Sequence, residues 1–426
     1  MGLYECDLNP ALGLPIAGYL ELKAATGFYD RLYVRAVSLN SSTSRFVLAS
    51  VDSCGVGKSM CEEVAGEMEA RYGVPRENVL VMATHSHSAP DTMAWTPRMW
   101  AAAGKESEVT SYVARVKEAI LWSMLQAMSQ ETPVDSIFYS AVQTPGLFTN
   151  RHHVKGSIDN QTSALLIRGK KSLLLVNHNY HPSVLGANNY YYSADFPAYL
   201  IRTIRRELGD VQVNCITGAC GDVSARFPLG DEFSSRRNIT NTMKYGDQLG
   251  RRILHGLKSA RRLKDFTLNS IRKPLHLNLK SRPNKVEALA RKEELESKMK
   301  QARTSRERQG YNFQLEGVGM WLNILNLSNG VLPASMDFEV GCLRLGTKGF
   351  ALAYAPAEIY STTSLRLKEQ SSFKLTMLSG YSNGIVGYIP PPEAYEEQHY
   401  EALSTAFTSD AIQKLEGALF PLVAEH

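Results

Sequence analysis

No run of 18 consecutive apolar residues occurs in this 426-residue chain, so it holds no segment of the length and character that crosses a bilayer as a helix. The opening Met1-Gly2-Leu3-Tyr4-Glu5-Cys6-Asp7-Leu8 lacks a basic region followed by an apolar core, which argues against a secretory leader. Cysteine is sparse. None of Cys6, Cys54, Cys61, Cys215, Cys220 and Cys342 forms a CxxC pair, so a clustered thiolate site or a redox dithiol at that spacing is excluded. Most of them sit among apolar neighbours, as small buried hydrophobes do, and free thiols in a reducing cytoplasm are the expectation. Charge is not one-sided either. Lys and Arg number 47 against 42 Asp and Glu, a net of +5, and the basic residues are scattered rather than gathered into a nucleic-acid footprint. The densest group, Arg251 to Lys264, repeats at helical spacing and reads as a solvated helix face, with contact to an anionic surface the lesser alternative.

With 44% hydrophobic residues, the chain has the composition of an ordinary globular protein. The run at 46–52 reads as a buried strand ending in Asp52, and 57–72 as a helix closed by Gly73 and Pro75. The strand at 79–84 completes a β-α-β unit. Further strands are expected near 136–142, 162–168, 172–177, 211–216, 337–345, 349–355 and 373–379, with helices at 107–130, 197–208 and 236–262 and another opening near Pro356. The stretch 283–310 is rich in Lys, Glu, Arg and Ala and is expected as an inserted helical arm, most simply an exposed one, with self-association as a second role. No repeat or low-complexity linker appears. The expected fold class is α/β: a mixed, largely parallel sheet core flanked by helices, in one domain over 1–426 with the charged arm inserted.

The most informative stretch is Ala83-Thr84-His85-Ser86-His87, where an apolar run ends in two histidines one residue apart. Residues i and i+2 of a strand share a face, so His85 and His87 are expected side by side at a strand end. Imidazole is the commonest protein ligand of transition metals, and metal or proton-transfer chemistry stands beside an inert polar strand exit. Other clusters lie at element ends. His178 and His181 both follow the strand at 172–177, and either could face such a site. Asp195 before Pro197 reads as a helix cap. Gly218-Ala219-Cys220-Gly221-Asp222-Val223-Ser224 is a glycine turn whose amides could hold an oxyanion and whose Ser224 could be a nucleophile or a turn former. It is not a GxSxG elbow. Glu358 is expected in the first turn of a helix, favoured there by the helix dipole or as a ligand; two histidines and a glutamate form a known catalytic zinc set. Tyr381, Tyr388, Tyr395 and Tyr400 crowd a Gly/Pro loop and suggest a pocket wall with phenol donors.

In this order, the clusters resemble the neutral/alkaline non-lysosomal ceramidase family, specifically its N-terminal catalytic domain. The resemblance begins at Asp7-Leu8-Asn9-Pro10 through Gly18-Tyr19 and runs through Ala83–Ser88, Asn150-Arg151, His181-Pro182, Ser193–Pro197, Gly221–Ser224 and Pro356–Glu358. It ends at Gly387-Tyr388 and Gln398–Thr405. It implies a zinc amidase cleaving an N-acyl bond, with His85, His181, Glu358 and Tyr388 as zinc ligands. His87 and Arg151 would line the site, Ser224 falls at the family's proposed nucleophile, and Tyr400 at a pocket phenol. The family's Ser-Gly-Pro-Gly-Gly is here Ser88-Ala89-Pro90-Asp91-Thr92, which places a carboxylate beside a pocket that accepts lipid in ceramidases. The chain also stops where ceramidases continue into an immunoglobulin-like domain. A soluble, polar small-molecule amide is therefore the expected substrate.

The chemistry so implied has zinc polarise the scissile carbonyl and acidify water, with that water or Ser224 attacking. His87 would shuttle the proton, and Arg151 with Tyr388 or Tyr400 would hold the developing oxyanion. Ester or lactone hydrolysis and acyl transfer in a biosynthetic pathway use the same activation and stand as alternatives. An HxH-bearing (β/α)8 barrel fits less well, because the βα alternation breaks after about residue 265. An inactive binding or scaffold relative is the non-enzyme alternative. Neither a nucleic-acid partner nor a transmembrane segment is expected; a homo-oligomer is possible.

Overall fold

Aliphatic and β-branched runs build three principal sheets in the computed structural model, which describes residues 1–19, 23–93, 104–153, 156–225, 237–281, 284–303 and 334–424 with scattered positions between 307 and 325. The first sheet orders Gly2–Asp7, Tyr33–Asn40, Arg45–Val51 and Val79–Ala83. Only its last pair is parallel, joined by the helix Lys58–Tyr72 in the expected β-α-β unit. The second orders Val211–Thr217, Ser172–His178, Gln161–Gly169, Val134–Gln143 and Arg261–Leu263, again with one parallel pair, the first. The third orders Leu268–Asn278, Ser335–Leu345, Phe350–Tyr354 and Leu375–Ser379, and only its last pair is parallel. The α/β class with mixed sheets holds, but the expectation of largely parallel pairing is corrected. Links such as Asn40 to Arg45, Gly169 to Ser172 and Leu345 to Phe350 are too short for a crossover, so they turn the chain back as hairpins.

The three parallel pairs position the site. In an α/β sheet, loops leaving the carboxyl ends of parallel strands form the ligand crevice. Here those ends are Ala83, His178 with Thr217, and Tyr354 with Ser379. Main-chain bonds stitch them together. Ala83 N–H donates to Tyr381 O at 3.1 Å, Gly218 N–H to His178 O at 2.8 Å and Gly380 N–H to Thr217 O at 3.0 Å. The glycine at 218 is required: a Cβ there would lie 2.2 Å from Asn179 Oδ1 and 2.7 Å from Leu378 O.

Helices Phe196–Leu208 and Ile239–Leu257 pack against each other and against the second sheet. The second helix is shorter than expected, because Arg261–Leu263 leaves it to pair as an edge strand with Val134–Gln143. No helix opens at Pro356: Glu358–Ile359 is a short strand beside Tyr388–Ile389, and the helix begins at Ser361. The charged stretch contains the helix Lys285–Gln301, started by a capping box between Asn284 and Glu287. It lies between Leu268–Asn278 and Ser335–Leu345, which pair residue for residue from Leu268 opposite Leu345 to Asn278 opposite Ser335. Among the described residues no helix is long and apolar enough to cross a membrane, and all six cysteines are free thiols, five of them buried.

Beneath the first sheet, Asp52 closes a buried ion pair. Its Oδ2 accepts Arg35 Nη1 at 2.8 Å and the Tyr33 N–H at 2.9 Å, while Arg35 Nε reaches Glu5 at 2.8 Å. Removing one partner of such a pair strands the other charge. Asp52→Ala is therefore expected to lower stability by about 3 kcal/mol or more in urea unfolding. A loss under about 1 kcal/mol would mean that Glu5 alone suffices for Arg35.

Candidate metal centre

The strand Val79–Ala83 ends two residues before His85, so His85 and His87 do not share its face as expected. They converge by a different device. The backbone at His85 is left-handed, φ 63°. This turn aims both rings inward and leaves their Nε2 atoms 3.1 Å apart. His181 joins them, its Nε2 lying 3.2 Å from that of His85 and 2.9 Å from that of His87.

The tautomers follow from the partners. His85 Nδ1 is 2.6 Å from Cys54 O, and His181 Nδ1 is 3.1 Å from Cys220 O. A carbonyl only accepts, so both Nδ1 atoms carry the proton. Their Nε2 atoms therefore present lone pairs to one another inside a buried pocket. Burial first, then the neighbouring rings and Arg151, lowers the pKa of His181 well below the usual imidazole value. Burial, His85 and Arg151 do the same for His87. Both rings are thus uncharged at neutral pH, the form in which imidazole ligates.

A carboxylate completes the donor set. Glu358 Oε2 lies 3.5 Å from His85 Nε2. The ladder that pairs Glu358 with Tyr388 brings that phenol to the same place, and Tyr388 meets Tyr400 edge-on with ring centroids 5.8 Å apart. Burial, then Glu358, raises the Tyr388 pKa well above its ordinary value. Tyr381 stacks on His85 at 3.8 Å between centroids, with its hydroxyl 3.1 Å from Cys220 Sγ and 3.5 Å from Glu358 Oε2. Two imidazoles, one carboxylate and a phenol fit a borderline-soft dication such as zinc, and lone pairs facing each other give that cation its place.

Arg151 leans on the cluster. Its Nη1 donates to Glu401 at 2.9 Å and its Nη2 to Val223 O at 3.1 Å, and the same Nη2 sits 3.2 Å from His181 Nδ1. Burial opposes its charge, but the Tyr388 phenol, Glu401 and Glu358 outweigh burial and raise its pKa. Glu401 is shared further: its Oε2 accepts His152 Nε2 at 2.8 Å and the Tyr360 hydroxyl at 2.9 Å, and His152 stacks on His399 at 3.7 Å. Burial alone would raise the Glu401 carboxyl; His152 and Arg151 instead hold it at about 2.

The loops are fixed by buried carboxylates. Asp195 caps the helix Phe196–Leu208 as expected, and it also accepts the Val184 and Leu185 N–H groups just after His181. Asp222 accepts Asn150 Nδ2 at 2.9 Å and the Ser361 N–H at 2.8 Å, which places Arg151 and the strand of Glu358. Ser224 pairs with Thr149 one residue beyond the carbonyl that holds Arg151; among the described residues its hydroxyl makes no hydrogen bond. Of the two histidines after the second sheet, it is His181 that reaches the cluster. His178 packs beside Phe196 and Tyr180 instead. Tyr381 was expected only as part of a tyrosine-rich pocket wall; Tyr360, Glu401 and His152 were not assigned a role from the sequence, and only the neighbours of Arg151 and Tyr400 hinted at them.

Residues 5–164 match the family model described as neutral/alkaline non-lysosomal ceramidase, N-terminal. No curated protein matches the sequence. Among solved structures, the chain is similar to neutral ceramidase from Pseudomonas aeruginosa, with a TM-score of 0.73 at 18% identity over 98% of this chain and 72% of that one. It is similar also to a structure titled ceramidase complexed with C2, with a TM-score of 0.74 at 17% identity over 98% and 73% of the two chains. At that identity the likeness is one of fold, and it extends far beyond the segment that the family model covers.

Burial lowers the His178 pKa to about 3. Its unfolded value is about 6.5, so the unfolded chain binds the extra proton between these values and stability falls as pH drops through that window. In His178→Phe, the slope of unfolding free energy against pH over 4–6 should be shallower by up to about 1.4 kcal/mol per pH unit. An unchanged slope in chemical unfolding would mean that His178 is not held neutral.

Proposed function

From the match of residues 5–164 to the neutral/alkaline non-lysosomal ceramidase family model, we propose a zinc-dependent hydrolase that cleaves an N-acyl amide bond in a polar small molecule. The observation that carries this reading is the meeting of three imidazole Nε2 atoms at 2.9–3.2 Å, with the outer nitrogens of His85 and His181 tied to carbonyls. His85, His181, Glu358 and Tyr388 are the proposed zinc ligands. Zinc, when bound there, supplies Lewis-acid polarisation of the acyl carbonyl and acidifies water.

The remaining steps belong to side chains. His87, neutral and beside the ligands, takes a proton from the attacking water as the oxygen adds to the acyl carbon. Arg151 and the Tyr400 phenol donate to the acyl oxygen as it gains charge. His87 then returns the proton to the departing nitrogen, leaving a carboxylic acid and an amine. Arg151 is fitted to its part because Glu401 and Val223 O hold its fork in place. Water is the preferred attacker, since no imidazole is hydrogen-bonded to the Ser224 hydroxyl to activate it. The polar character of the substrate rests on Asp91, half-buried directly after the histidine turn, whose Oδ1 accepts the Met93 N–H at 2.7 Å.

Metal analysis of purified protein should find about one zinc per chain, lost in His85→Ala and His181→Ala and removed by a chelator together with amidase activity. Metal retained in both variants would refute the ligand set. His87→Ala should keep the metal while turnover falls by roughly 10²–10⁴; loss of metal would make His87 a ligand rather than the base. Ser224→Ala should stay within about tenfold of the parent, and a fall of roughly 10³ or more would transfer the attack to Ser224.

A further inference from the structure

Tyr19 stands against the proposed base and has no part in the chemistry described. The segment before it is pinned to the turn after the histidines. Ile16 bridges to Pro90, and the Ala17 N–H donates to Ala89 O at 2.9 Å. Gly18 then adopts φ 93°, and a Cβ on it would lie 2.4 Å from His87 Nδ1. Only glycine allows that approach. The Tyr19 ring accordingly meets His87 edge-on, with centroids 5.2 Å apart and planes at 65°.

Its hydroxyl is buried and, among the described residues, has no hydrogen-bond partner. Buried phenols almost always find one, and an unmet O–H is destabilising. A group left waiting beside a reactive centre is therefore a candidate for a substrate contact. After burial itself, the groups bearing on this oxygen are Arg237, Asp195, Cys54 and Arg151, in that order. Arg237 Nη1 is anchored to Ser183 O at 2.6 Å, and its stem packs on Gly186. The Asp195 carboxylate is already engaged by the N–H groups of Val184, Leu185 and Phe196. The surroundings of the phenol are therefore weighted towards positive charge and suit an acceptor oxygen with negative charge.

Resting on the proposed amidase reading, the side of the substrate next to His87 is the amine half, since His87 returns the proton to the departing nitrogen. We propose that Tyr19 Oη and Arg237 form a subsite for a carboxylate on the amine half, so that the substrates are N-acyl amino acids rather than N-acyl alkylamines. Tyr19 donates one hydrogen bond to the carboxylate, and Arg237 supplies the charge.

The test pairs N-octanoylglycine with N-propyloctanamide, which lacks the carboxylate, and compares the parent with Tyr19→Phe. In the parent, kcat/KM should favour the glycine conjugate by at least about tenfold. Tyr19→Phe should cut that preference by about tenfold, leave the alkyl amide within about twofold, and keep the zinc content. Calorimetric binding of N-octanoylglycine to the metal-free protein should weaken by about the same factor in Tyr19→Phe. An unchanged preference, equal losses on both substrates, or equal calorimetric affinity would overturn the subsite. Absence of zinc and of cleavage in the parent would instead refute the amidase reading, and the calorimetric comparison would still decide the subsite.

Discussion

The site depends on an electrostatic conflict. Cys54 O and Cys220 O each claim the Nδ1 proton of a histidine, which turns the lone pairs of His85 and His181 towards each other at 3.2 Å. Unprotonated nitrogens cannot hydrogen-bond one another, and burial resists the protonation of His181 that would let them. A cation held between them would satisfy the arrangement. Carbonyls from loops that leave two different sheets thus impose the tautomers, and with them the chemistry. The two cysteines matter here through their backbone; their thiols are buried, and the pKa of each is pushed up by burial.

Holding lone pairs in opposition requires a stiff frame, and the frame is built from buried carboxylates that touch no imidazole of the cluster. Asp195 grips the chain just beyond His181, Asp222 ties the Asn150 turn to the start of the helix at Ser361, and Glu401 secures Arg151. Asp222 and Glu401 bridge segments far apart in sequence, while Asp195 closes the loop between His181 and its helix. The parallel strand pairs deliver those segments to one place, and the side-chain bridges then fix them to within hydrogen-bond tolerance.

Strand and helix positions were largely legible in the sequence, because apolar runs ending in glycine or proline mark them directly: Lys58–Tyr72 closes at Gly73, and Phe196–Leu208 opens at Asp195. Strand direction was not legible, since a buried antiparallel strand such as Gln161–Gly169 carries the same unbroken apolar run, Ala164 to Ile167, that a parallel one would. The histidine pair drew notice for its spacing, yet the reason first attached to it was wrong. The residues converge through a left-handed residue after the strand, and no periodicity announces that. Glu358 was misplaced for a related reason: Pro356 and an acidic residue imitate a helix start, while the short ladder to Tyr388 depends on a segment thirty positions away. Tyr360 and Glu401 stayed unassigned because their partners are set by tertiary contacts alone.

The hairpin of Leu268–Asn278 and Ser335–Leu345 remains in register along its whole length despite the long insert at its tip. The insert leaves and rejoins the sheet at neighbouring strand ends, so its closure entropy grows only with the logarithm of its length. The body of the protein is therefore nearly indifferent to what is spliced there. That position is an open port: evolution can lengthen, trim or replace the segment, and change what the molecule meets, without disturbing the strands that lead to the candidate metal centre.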